Sequence, residues 1–394
     1  MPELANNRQC TGCTACYTSC PKNCITMQAD CYGFKFPVVD TNTCINCKIC
    51  ESVCPVVGKK VTNKELISIY AAYVQDDNVR MDSSSGGIFS EIATEVLNRN
   101  GVVFGAAYNN EYMVEHIQIS SKEDLSKLRG AKYAQSELRE CFHEVQKYLT
   151  EGRDVLFVGL PCQIAGLKSF LTKNYSTLIT VDFVCHGVPS PLVWQNYVNY
   201  RAEKDNKGIL PIKINLRSKS SGWSKYRYSN EYEYEGGKIY SAFSGDDLYM
   251  QLFVSDYINR ASCTDCHFKG AKRVSDVTLG DFWGIWDVAP DMDDDKGTSL
   301  VLIHTKAGMT MLDRIADRLV IREMSLNQAS FRNPSLIVSS SAADERELML
   351  EKCVAGKFDE AEQVLVQKNA QRVSKLNVVM KIIRKIKKLI KQKI

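Results

Sequence analysis

Cys10-Thr-Gly-Cys13-Thr-Ala-Cys16-Tyr-Thr-Ser-Cys20-Pro21 and Cys44-Ile-Asn-Cys47-Lys-Ile-Cys50-Glu-Ser-Val-Cys54-Pro55 write one pattern twice, C-x2-C-x2-C-x3-C-P. In such a run three thiolates hold one [4Fe–4S] cubane and the fourth crosses to the other. The expected ligand sets are therefore Cys10, Cys13, Cys16 and Cys54 for one cluster, and Cys44, Cys47, Cys50 and Cys20 for the second. Pro21 and Pro55 cannot continue a helix and turn the chain away after each fourth thiolate. Zinc sites of four cysteines use two CxxC pairs, which this spacing does not reproduce.

Residues 1–60 thus read as a small α+β dicluster ferredoxin-type domain. At 394 residues the chain is too long to be a ferredoxin alone, and further units must bury their own cores. Sixteen cysteines without an apolar stretch behind a charged start fit a reducing cytoplasm better than a secreted disulfide scaffold. No segment approaches the 18 or so apolar residues of a membrane span, so the body reads as soluble. The net charge of +4 hides an asymmetry, since residues 375–394 hold eight Lys or Arg and no acid. Val379, Ile382, Ile383, Ile386, Leu389 and Ile390 recur there at helical spacing. The segment reads either as a solvated terminus or as a basic amphipathic helix for an acidic partner or the inner face of a membrane. It lacks the interleaved aromatics of a nucleic-acid arm.

A linker is expected near 57–65. Beyond it, β-rich runs at 102–107, 155–159 and 178–184 alternate with helical patterns at 87–99, 137–149, 163–171 and 191–204, which predicts an α/β layer with parallel pairing. Residues 212–241, rich in Tyr and Ser with Gly236-Gly237 as a turn, predict an antiparallel excursion. A helix is expected over 245–257, β structure returns at 277–279 and 299–304, and the region past 340 is helical.

Single electrons from two cubanes imply a two-electron partner, and a flavin is the usual converter. No G-x-G-x-x-G occurs, which argues against a Rossmann dinucleotide site. Ser83-Ser84-Ser85-Gly86-Gly87 before a helix offers hydroxyls and unhindered backbone N–H groups to a phosphate, or is an ordinary serine cap. Arg129 to Ser136 puts Arg129, Lys132, Tyr133 and Gln135 on one loop, fit for a ribityl chain or pyrophosphate, or for a plain surface turn. Cys162 and Cys185 follow expected strands, where open α/β sheets place ligands. With Cys263 and Cys266 they form a candidate third four-thiolate set, the alternative being two core cysteines and a zinc or redox CxxC. His186 is a candidate acid or a structural loop residue. Asp281 reads as turn chemistry, with a flavin contact as the alternative, and Asp293-Asp294-Asp295 as a solvated loop, while Cys24, Cys31, Cys141 and Cys353 have no partner spacing.

The ordered segments SSSGGIFSEIA (83–93), LRGAKYAQS (128–136), VLFVGLPCQIAGLKSFL (155–171), VDFVCHGVPSPLVW (181–194), SGWSKYRY (221–228), CTDCHFKGAKRVSDVTLGDFWGIW (263–286) and DDDKGTSLVLI (293–303) resemble the family of coenzyme F420 hydrogenase/dehydrogenase beta subunits. The resemblance implies a non-Rossmann, mixed-sheet α/β flavoprotein core in two parts, 66–150 and 151–335, followed by a helical region over 336–394. It implies FAD, held by Ser84, Ser85, Gly86, Gly87, Lys132, Tyr133 and Gln135, and a third [4Fe–4S] cluster on Cys162, Cys185, Cys263 and Cys266. Leu160 stands where many members carry threonine, which removes one hydroxyl donor. The function it implies is an oxidoreductase passing electrons between a ferredoxin-like carrier and, through FAD, a small two-electron substrate such as an F420-like deazaflavin, with polysaccharide biosynthesis as one setting. The alternative is a non-catalytic electron-transfer subunit of a larger hydrogenase or dehydrogenase.

Overall fold

The structure is a computed structural model that describes residues 1–58 and 61–370. The amphipathic helix expected over 375–394 lies outside the described residues, as do residues 59 and 60 of the linker. In the N-terminal unit β1 (Ile25–Ala29) and β2 (Lys35–Val39) pair antiparallel. Two one-turn helices, Ala15–Thr18 and Ile49–Ser52, each follow a left-handed residue, Thr14 and Lys48, both at φ 64. These residues occupy equivalent places in the two cysteine runs, so the repeated sequence folds as repeated backbone. A left-handed residue beside a helical turn gathers backbone N–H groups toward one point, which suits an anionic cluster.

The core is built on one mixed eight-stranded sheet. It takes β3 (Ser68–Val74), β4 (Val102–Tyr108), β5 (Val114–Ile119), β6 (Val155–Val158) and β7 (Leu178–Phe183) from the first half of the chain. A separate antiparallel sheet follows, made of β8 (Lys213–Ser218), β9 (Ser229–Glu233) and β10 (Ile239–Phe243). Then β11 (Val277–Asp281), β12 (Ser299–Ile303) and β13 (Leu319–Glu323) complete the main sheet in the order β13-β3-β12-β11-β7-β6-β4-β5. Only β4, β6, β7 and β11 pair in parallel. The other neighbours are antiparallel, so the expected parallel layer is the middle of a mixed sheet.

Those middle strands are near-continuous apolar runs because both faces are covered. Val103, Leu156 and Val158 face the helices Ile88–Asn98 and Lys306–Ile315, while Phe104 and Phe157 face Cys141–Thr150 and Pro161–Leu171. The excursion at 212–241 leaves the main sheet altogether and turns at Gly236 and Gly237, both at φ 81. It packs an aromatic core, including Trp194, Tyr197, Tyr232 and Tyr249, with the helices Pro191–Asn206 and Arg346–Val354. Ser190 starts the first of these by accepting from the Val193 N–H at 3.1 Å, with Pro191 at the first helical position.

The N-terminal unit is seated against this core. Tyr17 donates to Glu140 at 2.7 Å, and the Ser190 hydroxyl donates to the Tyr32 carbonyl. Gly33 lies so close to Leu192 that an added Cβ would stand 2.4 Å from its Cβ. Arg260 closes the seam by donating to the carbonyls of Cys10 at 2.7 Å and Lys35 at 2.8 Å.

Candidate electron-transfer site

Cys10, Cys13, Cys16 and Cys54 line one small void in the N-terminal unit, together with Leu4, Ala5, Met27 and Pro37. A second void gathers Cys20, Cys44, Cys47 and Cys50. In each void the fourth cysteine of one run joins three of the other, the crossing that the spacing demands. Burial pushes the Cys13 thiol up to about 12, so it stays protonated unless iron takes the proton's place. Cys24, unassigned from spacing, also reaches the second void, with its Sγ 3.3 Å from that of Cys20. Among the described residues no three Cys, His, Asp or Glu converge tightly enough to hold one metal ion. A cubane takes its thiolates on four separate irons, so its ligands stand apart.

The core cysteines come from three elements. Cys162 sits in the first turn of the helix Pro161–Leu171, Cys185 follows β7, and Cys263 and Cys266 flank a tight turn. They form one group. Burial pushes the Cys162 thiol well up, and the sulfurs of Cys266, Cys185, Cys13 and Cys263 add to the effect by repulsion. Cys185 is raised to about 11 and Cys263 to about 12, burial leading in both. Buried thiols with raised values are a set that a cationic iron–sulfur core would deprotonate. Cys13 appears among the neighbours of Cys162 because the helix passes the N-terminal unit at Gly166, where an added Cβ would meet Cys13 Sγ at 2.9 Å.

Beyond the core set opens a cavity of about 550 Å³, within the range of small-molecule sites. Cys185 and His186 form part of its wall, and Ser84, Ser85, Gly87, Lys132 and Tyr133 another part. Gly86 is turned away from it, its N–H donating to Ser299 Oγ at 2.9 Å. Gln135 also leaves the cavity. Its amide bridges the Thr11 carbonyl, at 3.3 Å, and Arg260, at 2.9 Å, so it serves the seam with the N-terminal unit. Lys132 lines the cavity, but its ammonium donates to the carbonyls of Arg129 at 2.7 Å and Gly130 at 3.2 Å; burial lowers it to about 7. His186 Nδ1 lies 3.4 Å from Ser335 Oγ, while Nε2, 2.9 Å from Asp256 Oδ1, makes no hydrogen bond among the described residues. Leu160 is in the wall, where its N–H donates to Gln163 Oε1 at 2.8 Å.

Two cations escaped the sequence reading. Arg217, at the end of β8, is buried in the cavity wall, bidentate to Asp281 at 2.7 and 2.8 Å and stacked on Tyr228 at 4.0 Å. It also donates to the Ser84 carbonyl at 3.2 Å, and its Nε has no partner among the described residues. Lys219 lies behind the serine loop, donating to the carbonyls of Arg80 at 2.5 Å and Ser85 at 2.7 Å, and burial lowers it to about 7. The acidic triplet is a loop in which Asp294 and Asp295 are exposed, as expected, but its carboxylates also tie the loop to its neighbours. Asp294 pairs with the buried Arg80 and Asp295 caps the N–H groups of Trp223 and Ser224. Trp223, Trp283, Tyr226 and Tyr228 stack into one aromatic wall, with Trp223 and Trp283 at 4.8 Å.

Sequence comparison agrees with this layout. Residues 69–142 match the N-terminal part, and residues 152–329 the C-terminal part, of the coenzyme F420 hydrogenase/dehydrogenase beta subunit. The chain belongs to this family. Residues 9–57 match the 4Fe-4S dicluster domain, which identifies the N-terminal unit as an iron–sulfur electron-transfer module. The F420H2 dehydrogenase of Methanosarcina mazei has a subunit, designated F, that is 26% identical over 346 residues, covering 82% of this chain and 87% of the relative. An uncharacterized ferredoxin of Methanocaldococcus jannaschii is 33% identical over 75 residues, covering 19% of this chain and 88% of that protein. A chain from the F420-reducing [NiFe] hydrogenase complex of Methanosarcina barkeri, solved with xenon derivatization, aligns at TM-score 0.45 and 16% identity, over 77% of this chain and 93% of its own. Among the described residues no helix is long and apolar enough to cross a membrane.

Proposed function

We propose that this chain is the electron-relaying iron–sulfur subunit of a multi-subunit oxidoreductase, with a third [4Fe–4S] cluster in its core and FAD in its large cavity as the outlet. One observation carries the reading. The Cys162, Cys185, Cys263 and Cys266 group stands between Cys13 of the N-terminal unit and a cavity whose wall includes Cys185. Cys47, the exposed thiol of the second N-terminal set, marks where a ferredoxin-like carrier or partner subunit meets the relay. The relative from Methanosarcina mazei bears the name of a dehydrogenase subunit, which supports a life within an assembly.

The cavity residues suit a flavin with an anionic tail. The N-terminus of the helix Ile88–Asn98, with Ser84, Ser85 and Gly87 before it, receives phosphate oxygens, and Arg217 has an unpartnered Nε on the same wall. Bound FAD supplies the exchange between single electrons and a two-electron, formally hydride, transfer. Trp283, Tyr228 and Phe253 give the cavity aromatic surface for a flavin ring to pack on. His186 lies in the cavity wall with Nε2 unpartnered among the described residues, which leaves that nitrogen available to a bound group.

A second reading gives a small two-electron substrate access to the flavin at this cavity, and the chain is then a self-sufficient FAD-dependent oxidoreductase. Photoreduced chain mixed anaerobically with deazaflavin and other two-electron acceptors separates the two. The relay reading expects oxidation only once a partner subunit is added, and the enzyme reading expects it without one. Counting iron, sulfide and flavin per chain tests both, since about twelve irons and one FAD are expected at four irons per cluster; about eight irons and no flavin would sink them.

A further inference from the structure

We propose that the core cysteine set is an electron sink, in which Arg260, Lys269 and Arg273 hold a cluster on Cys162, Cys185, Cys263 and Cys266 at a higher potential than either N-terminal cluster. Electrons entering near Cys47 then collect beside the cavity. The inference rests on the third cluster of the preceding reading and adds to it a direction of flow.

The observation behind it is a group of cations that, among the described residues, have no carboxylate hydrogen-bonded to them. Arg260 is 1% exposed. Its guanidinium donates to the Cys10 carbonyl, the Lys35 carbonyl and the Gln135 amide oxygen, and lies 4.2 Å from the centre of the Phe36 ring. Arg273 is 2% exposed and donates to the carbonyls of Gly270 at 2.8 Å and Phe268 at 2.6 Å. Lys269 donates to the carbonyls of Cys185 and of Ser335, the latter at 2.9 Å. Every one of these acceptors is neutral. Arg260 precedes Cys263 by three residues, and the fields of Lys269 and Arg273 both act on Cys185.

Burying a cation with no anion costs several kcal/mol, so a chain that keeps such a group has a counter-charge for it. The buried acids of this region are engaged elsewhere or answer one charge at most. Asp182, three residues before Cys185, faces Arg273 and hydrogen-bonds through Oδ1 to Thr278. Asp276 accepts from Thr180 and Thr305 and lies 3.8 Å from Lys168, and Asp256 accepts from Asn259 and Ser341. The charges of Arg260 and Lys269 are left to four thiolates and the cluster they hold. A cluster that gains an electron gains one negative charge, so each cation close to it favours the reduced form.

The N-terminal sets have less of this help. At the second set Lys48 is paired with Glu51 at 2.8 Å and both are open to water. The first set shares Arg260 alone, through the carbonyl of Cys10. Among the described residues, therefore, the second set has no buried cation of this kind, the first has Arg260, and the core set has Arg260 and Arg273 together with the half-buried Lys269 beside Cys185. In the transfer itself one electron leaves an N-terminal set and the same electron enters the core set, with no bond broken and no proton moved.

The test is a redox titration of the anaerobically prepared full chain, followed by electron paramagnetic resonance, on wild type and the variants C266S, K269Q, R273Q and R273K. The signal lost in C266S identifies the core cluster. It is expected to reduce first as the potential is lowered. In K269Q and in R273Q its reduced-to-oxidised ratio at fixed potential should fall at least tenfold, which is 59 mV for one electron, while R273K stays within threefold of wild type. A structural role alone would not separate R273Q from R273K in this way. A core signal that reduces after the N-terminal ones, or that ignores K269Q, overturns the proposal. About eight irons per chain, with no signal lost in C266S, would instead remove the third cluster and the proposal with it.

Discussion

Replacing Gly166 by alanine sets two known magnitudes against each other. In the middle of a helix the change ordinarily gains about 0.5–1 kcal/mol, because glycine loses more backbone entropy on folding. Here the new Cβ would stand 2.8 Å from Cys13 Cβ and 2.9 Å from its Sγ. Forcing an extra methyl into a packed site costs about 1–3 kcal/mol, and Cys13 cannot swing aside without leaving its ligand set. The net effect is a loss of about 1 kcal/mol, which for a chain of 394 residues lowers the melting temperature by about 1 °C. The larger consequence is local, since the displaced atom is an iron ligand. Anaerobic thermal melts, with iron retained per chain after challenge by a chelator, give both readings. Gly245, which has open space around its missing Cβ, supplies the control variant G245A. A G166A protein that melts above wild type and keeps all its iron would mean that helix propensity alone governs the site, and that the unit is not seated on the core through Cys13.

The Arg217–Asp281 pair is almost wholly buried on the arginine side, so D281N should cost about 3–5 kcal/mol by stranding the guanidinium; a loss under about 1 kcal/mol in urea unfolding would mean that water reaches Arg217. His116 is pushed down to about 4 by burial. Its neutral form is the one folded, so its contribution is intact above the unfolded value near 6.5 and is lost as pH falls toward 4. Between pH 6.5 and 5 wild type should therefore lose about 2 kcal/mol more than H116N, and equal slopes would refute this. Lys132, lowered to about 7, should take up a proton when an anionic flavin binds, so flavin affinity should weaken as pH rises above 7. In K132M that pH dependence should disappear, and calorimetry in buffers of different ionisation enthalpy measures the proton directly.

How much could be read in advance depended on whether a feature was local in the chain. The eight N-terminal cysteines were legible because cluster ligation fixes spacing along the sequence, and the crossing of Cys20 and Cys54 follows from the same rule. The serine loop could be singled out because hydroxyls, glycines and a helix start are contiguous, and the structure puts Ser84, Ser85 and Gly87 in the cavity wall. Gln135 shows the limit: it shares a loop with Tyr133, yet Tyr133 lines the cavity while Gln135 reaches Thr11. Composition cannot say which way alternate residues of a loop point. Arg217 and Lys219 were missed for a different reason. They lie on and just after a strand of a separate sheet that meets the serine loop only in three dimensions. Asp293, Asp294 and Asp295 share no face of a regular element, but a loop gives each its own direction, and each found its own partner.

The position of β3 between β12 and β13 has a bearing on how the protein is made. The strand emerges early from the ribosome, yet both of its neighbours are encoded more than two hundred residues later. Until they arrive, the serine loop that follows β3 lacks Ser299, the side chain that fixes Gly86. During synthesis the middle strands can assemble while one flank of the cavity stays open. The chain order therefore makes Ser299, a residue of the cavity wall on β12, one of the last parts of the main sheet to be synthesised.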